Sequence, residues 1–273
     1  MTLEKQLLYL LSKVGEIESK KLIKIYEAMG YTPQIIRNLL TKLKKEKYID
    51  SLNRAIYRIT PLGKEVLSSL YFKRDLYSKH WDGKWYIILI EIPETLRKKR
   101  DIFRRKLIQF GFGQLNKSVY VYPWDITKDV INIIDTLEIE DYVTILASDE
   151  FLLNKISKDG EKGANKALGI WKIEELNNIY KEKFERFEME RKSDINKLLN
   201  NQHPDDLIAF SYYLEIGKLI NELLDIDPML PPEFLPGSWG GTKVLSELNR
   251  LYKLIANIIP KESIYYIFVE KDL

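Results

Sequence analysis

Between residues 85 and 147 the apolar side chains alternate between two spacings, and that alternation limits the fold more than any single residue type does. Trp85-Tyr86-Ile87-Ile88-Leu89-Ile90 is a continuous apolar run closed by Glu91 and Pro93, which predicts a strand apolar on both faces. Residues 95–110 then place Leu96, Phe103, Leu107 and Phe110 at helical spacing, with Gly111 as the exit. Residues 113–115 and 119–122 read as paired strands around the turn Asn116-Lys117. Val130, Ile133, Ile134 and Leu137 mark a second helix, and residues 142–147 a last strand. Strand, helix, two strands, helix, strand is the ferredoxin-like βαββαβ order.

The flanking regions read differently. Leu3, Leu7, Leu10 and Val14 predict a helix over residues 3–14, and a second helix follows over 19–29, ended by Gly30. A third begins at Thr32, a good N-cap, with Pro33 at the first helical position, where its missing N–H costs nothing. Two short alternating segments, residues 48–51 and 55–60, predict a hairpin with its tip at Leu52-Asn53-Arg54, and Pro61 opens a fourth helix. Three helices followed by a basic-tipped hairpin are the parts of a winged helix-turn-helix. Beyond residue 170, helices are expected over about 172–191, 204–225 and 241–258. Four prolines (Pro228, Pro231, Pro232, Pro236) forbid helix between the last two, so that stretch must be a stiff extended connection, pinned against helices by Leu235 and Trp239. The fold class is therefore α+β. Three consecutive domains are expected: 1–74 for DNA binding, 75–155 for a ferredoxin-like and dimerising domain, and 156–273 for a mainly helical domain that could sense an effector.

Charge follows the same division. Residues 1–74 carry a net charge of +8, residues 75–148 zero and residues 149–273 −5. A basic end on a neutral-to-acidic remainder is the asymmetry of a chain that meets a polyanion at one end. Ile36, Leu39, Leu40 and Leu43 form the inner side of the third helix. Gln34, Arg37, Asn38, Thr41, Lys42 and Lys45 point elsewhere, long enough to reach a major groove. Gln34, Arg37 and Asn38 are expected to read bases. Lys42, Lys44, Lys45 and Arg54 are expected to hold phosphates, with Thr32, Thr41 and Asn53 completing the surface.

Composition removes several chemistries. The chain has no cysteine and only two histidines, His80 and His203, which excludes disulfides, thiolate centres and a cysteine nucleophile and leaves no multi-histidine site. No apolar run is long enough to span a bilayer and no signal-peptide pattern opens the chain, so a cytoplasmic protein is expected. The Gly/Lys-rich stretch 159–169 lacks the Gly-Lys-Ser/Thr ending of a phosphate loop. Seven Lys/Arg between Arg97 and Lys106 sit in a region of zero net charge and read as a solvated face. Glu91 is the one candidate acidic metal ligand of the central region, and a metal-dependent nuclease centred on it is the rival enzyme reading. A non-catalytic architectural DNA-binding protein is a third.

Three stretches carry a family resemblance: TPQIIRNLLTKL in the third helix, WDGKWYIILIEIPETLRKKRDIFRRKLIQFGFGQLNKSVYVYP in the centre, and DPMLPPEFLPGSWGG before the last helix. They resemble the PaaX family of bacterial transcriptional repressors along essentially the whole chain. The central stretch is in turn similar in fold to the small double-stranded nuclease subunit of CRISPR adaptation complexes. There an aspartate ends the first strand and helps hold a metal, whereas this chain has Glu91. The resemblance implies a homodimeric, non-enzymatic repressor on double-stranded palindromic DNA, requiring no cofactor. It also implies release by a small-molecule effector, an acyl-CoA thioester such as phenylacetyl-CoA. One departure stands out: the helix before Asp227 usually carries a basic cluster, and residues 218–226 here read KLINELLDI, so the effector's identity does not carry over.

Overall fold

In the computed structural model, residues 3–53, 55–71, 73, 76–151, 156 and 166–269 are described. Contacts divide the chain into two compact units. One comprises residues 1–72, 180–225 and 241–273, the other residues 73–179 and 226–240. Helix and antiparallel sheet both contribute, so the α+β class holds.

In the first unit, α1 (Leu3–Val14) is buried nearly all round, from Gln6 through Leu11, as expected of a helix gripped from more than one side. A three-residue strand β1 (Glu16–Glu18), too short for any periodicity to announce, leads into α2 (Ser19–Ala28), which buries Leu22, Ile25 and Tyr26. Then come α3 (Pro33–Lys45), β2 (Ile49–Ser51), β3 (Ile56–Ile59) and α4 (Pro61–Tyr71). The expected hairpin is present, and β1 joins it as a third strand in the order β1-β3-β2, with Ile17 opposite Tyr57 and Asp50 opposite Arg58.

The second unit holds β4 (Trp85–Ile90), α5 (Arg97–Phe110), β5 (Gly113–Asn116), β6 (Val119–Tyr122), α6 (Thr127–Leu137), β7 (Val143–Ser148) and the short α7 (Lys166–Ile170). Its four strands are ordered β5-β6-β4-β7, every neighbour antiparallel. Ile88 and Ile90 are buried together with Tyr120 and Tyr122, while Ile87 and Leu89 on the opposite face are half-buried. Gly111 ends α5 at φ 111°, a left-handed conformation that glycine adopts without strain. At Gly113 a Cβ would lie 2.3 Å from Ile170 Cγ2, so only hydrogen fits under that side chain. The basic face of α5 is largely satisfied within this unit. Arg97 and Arg100 pair with Glu94 and Asp101, Lys99 with Glu138, and Arg104 donates to the Lys117 carbonyl at 2.7 Å. Most of the 159–169 stretch lies outside the described residues.

The proline-rich connection belongs to this second unit, where the helix beginning at Ile173 holds it, Asn177 donating to the Ser238 carbonyl at 3.2 Å and accepting from the Gly240 N–H at 2.8 Å, together with side chains of the sheet and its flanks. Tyr122 of β6 donates its hydroxyl to the Pro228 carbonyl at 2.7 Å, and Trp124 its indole N–H to the Met229 carbonyl at 2.7 Å. Asp227 is buried. Its carboxylate accepts from the Met229 N–H at 2.7 Å and the Tyr77 hydroxyl at 2.8 Å, and Lys73 donates to its main-chain oxygen at 2.7 Å. Phe234 meets Trp81 and Trp85 edge-on, with ring centroids 4.9 and 5.0 Å apart. A segment that cannot form its own ladder thus has its carbonyls satisfied by side chains.

Burial, reinforced by nearby Asp227, raises the Tyr77 and Tyr122 hydroxyls well above the usual tyrosine value of 10.0. For an acid whose folded pKa is raised, the stabilisation is complete below the unfolded pKa and is lost as pH climbs towards the folded one. The second unit is therefore expected to lose stability as pH rises past about 10, and a Tyr122→Phe variant to lose less. All five tryptophans (Trp81, Trp85, Trp124, Trp171, Trp239) lie in this unit, so tryptophan emission against urea at pH 8 and pH 10.5–11 reads the effect, with these pH values chosen about the ordinary tyrosine pKa.

The remaining helices are α8 (Ile173–Leu199), α9 (Asp206–Ile226) and α10 (Gly241–Ile258). α8 runs eight residues beyond its expected end. Its stripe continues through buried Ile195 and Leu198, and the polar run 191–194 hides this, since Arg191 turns its Nε to Glu215 on α9 at 2.7 Å. Gly217 of α9 admits Tyr252 of α10, whose ring stacks on Tyr213 at 4.1 Å. Within the first unit α9 and the segment after α10 also meet α1: Gln6 donates to the Leu214 carbonyl at 2.8 Å, and Tyr9 to that of Phe268 at 3.4 Å.

Candidate nucleic-acid interface

The exposed side of α3 follows from its sequence. Ile36, Leu39, Leu40 and Leu43 are all buried at i, i+3, i+4 and i+7, which fixes the rotation of the helix about its axis. Gln34, Arg37, Asn38, Thr41, Lys42, Lys44 and Lys45 are in consequence all exposed, as is Thr32 in front of them. Thr32 has the extended backbone of an N-cap, but its side chain makes no cap hydrogen bond; Pro33 at the first turn removes one donor that would need it.

Several of these groups meet. Gln34 donates its Nε2 to Asn38 Oδ1 at 2.8 Å, one helical turn away, which leaves Gln34 Oε1 and the Asn38 amide N–H groups facing outward. Thr41 returns its hydroxyl hydrogen to the Arg37 carbonyl at 2.9 Å, so its side chain is held along the helix. Arg37 makes no side-chain hydrogen bond or ion pair among the described residues. Lys44 crosses to the hairpin and donates to Ser51 Oγ at 2.6 Å. Lys42 donates to Glu4 Oε1 of α1, and that hydrogen bond, with the carboxylate's charge, raises the ammonium's pKa.

The hairpin tip is only partly described. Asn53 is exposed, and its Oδ1 accepts from the Ala55 and Ile56 N–H groups at 2.9 and 3.1 Å, so the oxygen closes the turn while its amide N–H groups point out. Arg54 lies outside the described residues. Arg58, exposed on β3, 3.8 Å from Asp50 and opposite Glu16 of β1, is a further basic group of the hairpin; strict alternation with buried Ile59 predicts its exposure. Glu4 was missed because its contact joins residues 38 positions apart.

Glu91 stands exposed just past the end of β4, its N–H bonded to the Tyr142 carbonyl at 2.9 Å. Among the described residues no group of three His, Asp or Glu side chains could hold a metal ion there or elsewhere. Nor is any described helix long and apolar enough to cross a membrane.

Two family models match back to back. The central Cas2-like domain of PaaX protein matches residues 78–162, and the C-terminal domain of PaaX-like proteins matches residues 171–258. The chain belongs to the PaaX family. The two matches take in the four-stranded sheet with its helices and the proline-rich connection between α9 and α10, the two longer stretches on which the resemblance rested. The transcriptional repressor PaaX of Escherichia coli is 26% identical over 255 residues, covering 89% of this chain and 75% of its own length. An uncharacterized protein from Mycobacterium tuberculosis has a similar fold at 18% identity, with a TM-score of 0.51 over 87% of this chain and 88% of its own.

Proposed function

We propose that this PaaX-family chain is a DNA-binding transcriptional regulator whose α3 enters the major groove and whose β2–β3 hairpin tracks the adjoining backbone. The observation that carries the reading is the outward row on α3, from Gln34 to Lys45, exposed along its whole length beside a hairpin of which both ends are seen. The element order of residues 3–71 and the β1-β3-β2 sheet support a winged helix-turn-helix. The β5-β6-β4-β7 order supports a ferredoxin-like central region. The repressor named among its relatives supports regulation over catalysis.

In this reading Gln34, Arg37 and Asn38 read base edges. Lys42, Lys44, Lys45 and Arg54 neutralise phosphates, with Thr32, Thr41 and Asn53 at the margin. The three sequence regions keep their assigned tasks: residues 1–74 bind DNA, 75–155 pair two copies, and 156–273 sense an effector. The protein is a cytoplasmic homodimer whose two α3 helices bind half-sites about 34–36 Å apart on a palindromic operator. It requires no cofactor, and an acyl-CoA thioester is the effector class that the family suggests. Gel shifts of the full chain against the segment upstream of its own gene test this. A discrete complex is expected, competed poorly by unrelated duplex; no complex with any palindromic upstream segment at low salt refutes it.

The Glu4–Lys42 contact supplies a sharper prediction. A phosphate would have to displace the Glu4 carboxylate from Lys42, so Glu4→Gln is expected to tighten binding to all duplexes, by about two- to fivefold at low salt and less at high salt. Titration of operator and scrambled duplexes with both proteins checks it. An unchanged affinity would show that Lys42 contributes no phosphate contact.

A further inference from the structure

We infer that Ile35 of α3 reads the C5-methyl group of a thymine in each operator half-site. This contact rests on the DNA-binding reading of α3 and adds a base to it. Ile35 is 44% exposed, whereas Ile36, Leu39, Leu40 and Leu43, the apolar residues that face the core, are at most 8% exposed. Among the exposed residues of α3 it alone is apolar. It is the third residue of the helix, in the first turn, where a recognition helix meets base edges.

The chemistry of the groove selects the partner. An isoleucine side chain offers no hydrogen bond, and pressed against a base donor or acceptor it would strip that group of water without replacing the bond. The major groove displays one apolar group, the thymine methyl. At 3.6 residues per turn Ile35, Asn38 and Lys42 lie along one flank of the outward row, and Arg37, Thr41 and Lys44 along the other. Tethers mark the two flanks: Lys42 turns to Glu4 of α1, and Lys44 to Ser51 of the hairpin. Ile35 therefore shares its flank with Asn38 rather than with Arg37. Asn38 accepts from Gln34 at 2.8 Å, so the two amides together present an acceptor, Gln34 Oε1, and the Asn38 N–H donors. That is the complement of an adenine edge, which donates from N6 and accepts at N7. An A·T pair thus supplies a partner for the amides and, on the opposite strand, a methyl for Ile35; a G·C pair supplies no methyl.

The test selects duplexes from a random-sequence pool with the full chain. The thymines of a selected duplex are then replaced one at a time by deoxyuridine, which lacks only the methyl. At one thymine of each half-site the replacement is expected to weaken binding about three- to fivefold, the effect of one methyl no longer buried. Ile35→Ala should bind the thymine and uracil forms of that site equally, at about the affinity of the unaltered chain for the uracil form. That last equality shows that the variant is folded. Ile35→Val, which keeps a branched apolar side chain, should retain most of the preference for thymine. Selection of no sequence refutes the DNA-binding reading, and this contact with it. A selected duplex in which no thymine matters, or whose sensitive thymines matter equally to Ile35→Ala, overturns the methyl contact and leaves that reading standing.

Discussion

Arg37→Ala is expected to remove about 1–3 kcal/mol of discrimination between operator and unrelated duplex, while Lys45→Ala weakens both alike. The difference follows from where α3 holds the two side chains. Arg37 lies between buried Ile36 and Leu40, on the exposed side of the helix, and among the described residues its guanidinium has no partner to leave. A planar, five-donor group in that state can pair with both acceptors of a guanine edge, an arrangement that a wrong base does not offer. Lys45 is the last residue of α3, a flexible point charge at the end of the helix. It can find a phosphate on any sequence, and its loss should lower the salt slope by about one charge. Titrations of operator and scrambled duplex at two salt concentrations read both effects. If the two variants lose affinity in the same proportion on both duplexes, Arg37 does not read a base.

The central sheet and the outward face of α3 were legible because each depends on local periodicity. Trp85 to Ile90 has one spacing, Phe103 and Leu107 another, and a change of spacing marks a change of element. What escaped had no period to show. β1 is three residues long and exists because β3 offers it an edge, a fact about residues 56–58 rather than 16–18. The last turns of α8 were obscured by Arg191, whose charged head is held by Glu215 while the apolar stripe resumes at Ile195. Prolines excluded an α-helix over residues 228–236, but the stretch is not extended throughout, since Pro232–Phe234 form a single 3₁₀ turn, and the prolines did not show where the carbonyls would find donors, because Tyr122 and Trp124 lie more than a hundred positions away.

The same division holds at the candidate interface. Which side chains of α3 face outward followed from four buried positions, and all eight expected residues from Thr32 to Lys45 are indeed exposed. How each is tethered did not follow. The Gln34–Asn38 bond is an i, i+4 pair that sequence spacing permits, whereas Lys42–Glu4 and Lys44–Ser51 require knowledge of how α1 and β2 pass the helix. Exposure is dictated by the core, and the remaining contacts by topology.

Asp227→Ala is expected to be the most damaging single change in the second unit, at about 3–5 kcal/mol. The carboxylate is buried and receives hydrogen bonds from Tyr77 and from the Met229 N–H; bonds of this kind to a charged acceptor contribute about 1.5–3 kcal/mol each. Its removal strands both donors away from water and takes a negative charge from beside buried Lys73. It also releases Met229, a non-glycine residue at φ 55°, a conformation that the Asp227–Met229 bond holds in place. Asp227→Asn should cost far less, since Asn keeps an oxygen for Met229 and the Tyr77 hydroxyl can turn to accept from the new amide. Combining each substitution with Tyr77→Phe isolates the pair: the phenol should matter when Asp227 is present and little once it is gone. Because every tryptophan lies in this unit, urea titrations followed by tryptophan emission measure its unfolding directly. A loss below about 1 kcal/mol for Asp227→Ala would mean that the other anchors of the proline-rich connection, Tyr122, Trp124, Phe234 and Asn177 among them, hold it without help from the buried carboxylate.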